Sequence, residues 1–492
     1  MLKATREVNL DAKHKGFVYQ VQAVEAVKEM DYAAVFHEQG LGKTKIGVDL
    51  ALFWLTRDIV DSVIIVTKKS LIRNWRDEIH IHTHLEPRIL GQDRKSNFYA
   101  FNSPARLYLT HYEAMKSERK RLLLFQKTRR VAVILDEAHK IKNPESEITK
   151  ALFELAPGFR PRVVMTGTPV ANRPFDLWAQ IYFLDQGKAL GDDFPSFRKD
   201  LDLSNDLSTD RDKAKRFETA LAGLFEKIET FTVRETKKTA NIKLPDKELR
   251  TFEVDLEGRQ SEIYDRFKKE FAMIIVRDGM PQLDDADDIL KRLLRLVQVA
   301  SNPKLVDESY RGVPGKLAPL LDILREVVDR GEKAIIWTNF VGNVDWLARE
   351  LYAYGPVRVH GKLSYDDRNR SITLFKTDPD CKVLIATPAS AKEGLTLTVA
   401  NNAIFFDRSF SLDDYLQAQD RIHRISQDRP CIVTSLIARN TVDEWLDLLL
   451  AAKQLAAQLG QGDITREEYE AQASYAFGEM VRDVLGIKQN GR

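Results

Sequence analysis

The stretch Ala33-Ala34-Val35-Phe36-His37-Glu38-Gln39-Gly40-Leu41-Gly42-Lys43-Thr44 decides the fold. Its first four residues are apolar without polar alternation, which is how a parallel strand covered on both faces reads. Gly40 to Thr44 then breaks the run, and an apolar helical pattern resumes from Ile46. Strand, glycine-rich turn and helix in that order are the setting of a phosphate-binding loop. Glycines let backbone N–H groups turn toward phosphates, and the helix N-terminus adds a positive dipole. In such a loop Lys43 reaches the β- and γ-phosphates of ATP and the Thr44 hydroxyl holds Mg²⁺. The strict pattern has a glycine where this chain has His37. A glycine-rich turn with a surface lysine is the competing reading.

Working outward, further apolar runs lie at 63–67, 107–110, 131–135 and 163–166, with helical spacing between them. That alternation predicts β-α-β crossovers and a parallel sheet. The run 131–135 ends in Asp136-Glu137-Ala138-His139. Open α/β sheets place ligands at the carboxyl ends of their strands. Asp136 there binds Mg²⁺ through water, and Glu137 orients and deprotonates an attacking water. Alone, such a pair also reads as charge at a helix start; beside the Lys43 loop it reads as a hydrolytic site.

From about 185 to 306 the texture changes to dense charge and helical spacing, clearest at 213–229 and 287–300, with one extended piece near 249–254. From Lys333 the first pattern returns, with candidate strands at 334–338, 357–360, 383–387, 403–406 and 432–436. The linker 303–315 carries Pro303, Gly312, Pro314 and Gly315, and 442–492 is helical by spacing. The expected class is α/β: two parallel-sheet lobes with helical insertions between them. In the second lobe, Gln417, Arg421 and Arg424 fall at i, i+4 and i+7, one face of a helix. Two arginines on one face suit a polyphosphate; an exposed charged helix is the alternative.

The chain has 492 residues, which at roughly 100–200 residues per domain means two to four domains. Seventy-five Lys and Arg stand against 73 Asp and Glu, a net charge of +2. That excludes a polycation and leaves room for a local basic groove. Two cysteines, Cys381 and Cys431, exclude a disulfide framework and a cysteine zinc cluster and fit a reducing compartment. The N-terminus lacks the apolar core of a signal peptide, and no apolar run approaches the roughly 20 residues of a membrane span. A soluble intracellular protein without membrane contact is expected. His80, His82 and His84 have a metal-like spacing but lack evident further ligands. Seven basic residues between Lys116 and Arg130 read as the solvated face of a helix, with DNA contact as the alternative.

These pieces together resemble helicase superfamily two, a DEAH box at 136–139 included, and within it the Swi/Snf family of DNA-translocating ATPases. Tyr19-Gln20 is similar to the family's adenine-reading segment, and Asn74-Trp75 with Glu78 to its motif Ia. Asp136–His139 continues into Lys140-Ile141-Lys142-Asn143, a family hallmark. Thr166-Gly167-Thr168-Pro169 followed by Leu177-Trp178 resembles motif III. Arg234-Glu235-Thr236-Lys237-Lys238 before Leu244-Pro245 resembles the segment that leads into the second lobe. Gly394-Leu395-Thr396-Leu397 resembles motif V and Gln417 to Gln427 motif VI. Departures are His37-Glu38-Gln39 for Asp-Glu-Met, Lys68 for a proline, Ala171-Asn172 for a glutamine segment, and few glycines before Gly394.

The resemblance implies two RecA-like lobes. Residues 1–245 are the ATP-binding lobe, with a helical protrusion at about 185–245. Residues 246–440 are the second lobe, with an insertion at about 255–306, and 441–492 a C-terminal helical segment. It implies ATP and Mg²⁺ held by Gln20, Gly40, Gly42, Lys43, Thr44 and Asp136. Glu137 is then the base, Arg421 and Arg424 the arginine fingers, Gln417 a nucleotide contact, and His139, Thr166, Thr168 and Gly394 further motif residues. It implies double-stranded DNA as partner, branched or protein-bound DNA included, and movement along it. A strand-separating helicase, and a DNA clamp with little hydrolysis, stay open. With little chain outside the lobes, targeting falls to a partner protein, the chain ends or DNA structure. A monomer is expected, cytoplasmic and nucleoid-associated in a prokaryote or phage, nuclear otherwise.

Overall fold

The computed structural model describes residues 8–472 except 92, 171, 202–210, 241, 279–285, 392–395 and 425. They form two compact units. One takes in the chain up to residue 201, Arg216–Ile242 and Ala457–Arg466; the other is built on Lys243–Ala456.

The first unit is a parallel sheet of seven strands: β1 (Tyr32–Val35), β2 (Ser62–Thr67), β3 (Arg88–Ile89), β4 (Leu107–His111), β5 (Val131–Asp136), β6 (Phe159–Met165) and β7 (Thr232–Val233). Their spatial order is β3-β4-β2-β5-β6-β1-β7. Every residue of β2 and β5 is buried, because helices cover both faces of a central parallel strand. Ile46, Leu50 and Trp54 of the helix Lys43–Thr56 share one core with Val63, Ile65 and Ile134.

The second unit is a parallel sheet of six: β8 (Lys247–Val254), β9 (Ala334–Trp337), β10 (Val357–Val359), β11 (Val383–Ala386), β12 (Asn402–Phe405) and β13 (Cys431–Ala438). Their order is β10-β11-β9-β12-β13-β8. The period of two along β9 is visible in its packing: Ile335 and Trp337 enter one core, Ala334 and Ile336 the other. The edge strand β8 is exposed except at Val254, and its charges, with Glu248 and Arg250 paired at 2.7 Å, discourage pairing with another chain.

The stretch 185–306 is not wholly helical around one extended piece. Beside the helices Phe194–Asp200, Arg211–Glu226, Gly258–Asp278 and Ala286–Ser301, it supplies β7 to the first sheet and β8 to the second. The C-terminal stretch holds the helices Val442–Gly460 and Arg466–Gln472, and the remainder lies outside the described residues. Among the described residues no helix is long and apolar enough to cross a membrane.

One buried ion pair anchors the second unit. Lys316, fully buried, lies 2.5 Å from Asp443 and donates to Phe406 O at 2.9 Å. Asp443 also accepts from Ala438 N at 3.1 Å. Lys316→Met is expected to destabilise this unit by about 3–5 kcal/mol, because it strands a buried carboxylate. Lys316→Met with Asp443→Leu should recover most of that loss. Denaturant unfolding of the full chain measures both.

Candidate nucleotide site

The loop after β1 turns twice through left-handed backbone, at Gly40 (φ +85°) and Gly42 (φ +68°). Side chains rarely adopt that region, which is why glycines stand there. Gly42 caps the helix Lys43–Thr56, so the loop delivers its N–H groups to a helix N-terminus. Gln20 braces it: its Nε2 donates to Leu41 O at 3.0 Å, and its Oε1 accepts from Phe17 N at 2.9 Å. The buried carboxamide is therefore engaged by the chain itself. Lys43 Nζ donates to His37 O at 2.9 Å and to Glu38 O at 3.3 Å. Thr44, half-buried, comes next in the first helical turn.

Asp136 is the last residue of β5 and is buried. Thr67 Oγ1 and Trp75 Nε1 both donate to its Oδ2, at 3.0 and 2.7 Å. Tyr112 OH donates to its backbone oxygen at 2.7 Å. Burial, and then the neighbouring Glu137 charge, push the Asp136 carboxyl up to about 6. Glu137 sits in left-handed backbone, φ +53°, an uncommon conformation for a residue with a side chain. Burial pushes its carboxyl up, but His139, Lys68 and Lys43 outweigh burial and hold it below the usual carboxylate range. His139 Nδ1 lies 3.3 Å from Glu137 Oε2 and 3.4 Å from Thr166 Oγ1. Thr166 Oγ1 in turn accepts from Thr168 N at 3.2 Å. Gly167 lies so close that a Cβ there would stand 3.1 Å from Lys43 Nζ.

A raised carboxyl destabilises the metal-free fold. The Asp136 pKa in the folded chain lies above its ordinary value of 3.8, so wild type loses stability as pH rises through about 6. Asp136→Asn removes the charge, and one amide oxygen can still accept from both Thr67 and Trp75. It is expected to stabilise the metal-free chain at pH 8 by on the order of 2–3 kcal/mol. That gain should fade as pH falls from 6 toward 4. Thermal unfolding across this range, with chelator present, checks it.

The second unit holds Gln417, Arg421 and Arg424, but not on one helix face. The helix Leu412–Gln419 stops at Asp420, and both arginines lie in the turns beyond it. Short-range bonds close this stretch, Arg421 N to Ala418 O at 3.3 Å and Ile422 N to Gln419 O at 3.3 Å. The Gln427 side chain then takes the carbonyls of Ile422 and Ala400 at 3.0 and 2.9 Å. Those side-chain bonds pin the turn beyond the helix. Gln417 is buried and donates to Asp413 Oδ1 at 2.7 Å. Arg421 is buried, and Arg424 Nη1 donates to Thr396 Oγ1 at 3.0 Å. Gly394 lies outside the described residues.

Two features noted in the sequence have local partners. His80 and His82 face Glu86 and Glu78 at 2.5 and 3.2 Å. Among the described residues no group of three or more His, Cys, Asp or Glu could hold a metal. In the basic run, Arg119 pairs with Glu154, Arg121 with Glu118, and Arg130 with Asp58 and Asp61.

Comparison with known proteins matches residues 19–305, more than half of the chain, to the SNF2-related domain, and residues 315–426 to the helicase conserved C-terminal domain. The chain belongs to the SNF2-related family. Its relatives include the uncharacterized ATP-dependent helicase MG018 of Mycoplasma genitalium, 27% identical over 86% of this chain and 40% of that one. The ISWI chromatin-remodeling complex ATPase ISW1 of Saccharomyces cerevisiae is 26% identical over 94% of this chain and 42% of its own length. The chain thus spans about two fifths of these relatives. Among solved structures, the Sulfolobus solfataricus SWI2/SNF2 ATPase core in complex with dsDNA is 26% identical, covering 97% of this chain and 98% of that one, with a TM-score of 0.42.

The SNF2-related fold of two RecA-like lobes accounts for the two parallel sheets. Two departures from the family pattern acquire a meaning. His37 is buried, and burial, then Lys43, hold its imidazole down at about 4. A neutral ring therefore stands near Lys43 where the family has a carboxylate. Lys68, in place of a proline, adds a cation that helps hold Glu137 ionised. Ala171 lies outside the described residues.

Proposed function

We propose that this SNF2-type ATPase uses Mg²⁺ and ATP to drive movement along double-stranded DNA, remodelling DNA or DNA–protein complexes. One observation carries the nucleotide half: a left-handed glycine loop and two strand-end carboxylates, Asp136 buried and Glu137 partly so, share one lobe, close enough that the Lys43 charge acts on both. The DNA half rests on membership of the SNF2-related family and on relatives such as ISW1.

The site fits a magnesium ion. Asp136 Oδ2 is fully occupied by Thr67 and Trp75, which leaves Oδ1 to a cation or its water. A cation there offsets the burial and repulsion that raise this carboxyl, and Thr44 supplies a hydroxyl one turn from the glycines. Bound Mg²⁺ would neutralise phosphate charge as the γ-phosphoryl group transfers. Lys43 leaves the carbonyls of His37 and Glu38 for the β- and γ-phosphates. Glu137, ionised, accepts the proton of the attacking water, and His139 links it to Thr166. Arg421 and Arg424 are assigned to the γ-phosphate, Gln417 to the nucleotide, and Gln20 to the adenine side of the loop.

The test is ATP turnover with single-stranded, duplex and branched DNA, with salt titrated. Duplex should stimulate most, and its binding should weaken steeply with salt, because phosphate contacts release counterions. The chain should displace a third strand from a triplex without parting the duplex. Unwinding of a tailed duplex without duplex preference in turnover moves the reading to a strand-separating helicase. DNA binding without turnover moves it to a clamp.

A further inference from the structure

The stretch Ala457–Arg466 belongs to the first unit, and one of its carboxylates reaches the frame of the phosphate loop. Arg234 uses three donors at once. Its Nε donates to Asp463 Oδ1 at 2.7 Å, its Nη2 to Asp463 Oδ2 at 2.5 Å and its Nη1 to Phe36 O at 2.5 Å. A guanidinium is planar, so two donors seated on one carboxylate fix the direction of the third.

Phe36 joins β1 to the loop, and the neighbours of Arg234 hold Phe36 and Glu38 in place. Phe36 N donates to Val233 O at 2.9 Å and Glu38 N to Glu235 O at 2.8 Å. The Glu38 carboxylate accepts from Lys237 N at 2.8 Å and pairs with Lys237 Nζ at 3.3 Å. Residues 36–38 are thus strapped by 233–237. The carbonyls of His37 and Glu38, which hold Lys43 at rest, take their positions from that strap. Asp463 orients Arg234, Arg234 holds Phe36 O, and the strap places the lysine that reaches for phosphate.

We infer that Asp463 and Arg234 are positioning residues that set the affinity of the phosphate loop for ATP. The inference rests on the nucleotide reading of the Lys43 loop and adds a control point more than 400 residues along the chain from it.

Steady-state ATP hydrolysis by the full chain, with saturating duplex DNA, tests it. Asp463→Asn should raise KM for ATP roughly three- to thirty-fold and leave kcat within about twofold. Arg234→Lys should shift KM the same way, because an ammonium lacks the planar fork. Arg466→Ala is the control: it removes the contact of the same stretch with Glu218, at 3.6 Å, and should keep the wild-type KM. A thermal unfolding midpoint near wild type in either test variant separates positioning from unfolding. A wild-type KM in Asp463→Asn, or an equal rise in Arg466→Ala, overturns the inference. A wild-type chain that neither binds nor hydrolyses ATP overturns the nucleotide reading itself.

Discussion

Glu137→Gln should bind ATP as wild type does and hydrolyse it ~10²–10⁴-fold more slowly, the usual contribution of a general base. The change is isosteric, and it removes the group that the His139 contact and the Lys68 and Lys43 charges hold ionised despite burial. Nothing in it disturbs the glycine loop, so nucleotide affinity measures the fold of the site while turnover measures the chemistry. The left-handed backbone at Glu137 is unaffected by the swap, which keeps the comparison clean. Turnover near the wild-type rate would remove Glu137 from the chemistry and leave the acidic pair a metal-binding or helix-start feature.

Arg421→Ala and Arg424→Ala should each retain ATP binding and lose ~10³-fold or more in DNA-stimulated turnover if they act as fingers on the γ-phosphate, equivalent to about 4 kcal/mol of transition-state stabilisation. The two differ in their surroundings. Arg421 is buried, so Arg421→Lys, which keeps charge and most of the volume, is its companion variant. An ammonium cannot reproduce the planar donor array and should rescue folding but not turnover. Arg424 is only partly buried, and its Thr396 contact is replaceable by water. Both arginines belong to the second unit and the glycine loop to the first. Full activity in both variants would leave them as the walls of a turn.

Much of this site was legible because its residues are neighbours in sequence. Gly40 to Thr44 and Asp136 to His139 announce themselves at the ends of apolar runs, and the strands concerned are buried on both faces, which leaves a continuous apolar signature. The strands β3 and β7 were not legible: two residues carry no periodicity, and Thr232–Val233 sits in a charged, helical context. The support of Asp136 was hidden for another reason. Thr67, Trp75 and Tyr112 meet it from 69, 61 and 24 residues away, and nothing local in a Trp announces that its indole N–H will hold a carboxylate. Motif spacing had marked Trp75 without revealing its task. The helix face at Gln417, Arg421 and Arg424 was misread because periodicity was extended past Gln419. Tight backbone bonds close the helix at its end, Gln427 pins the turn beyond it through three side-chain bonds to carbonyls, and neither carries a local stop signal.

The resting place of Lys43 bears on how the cycle ends. An ammonium left alone when product departs would hold the product back, since the exit would strand a desolvated charge. Here two carbonyls of its own loop receive it. Under the proposed nucleotide reading, entry would be an exchange of partners for that lysine, weaker than a bare charge count suggests, and ADP departure would carry no penalty of a stranded cation. A loop that cradles its own lysine favours rapid recycling of that site over tight retention.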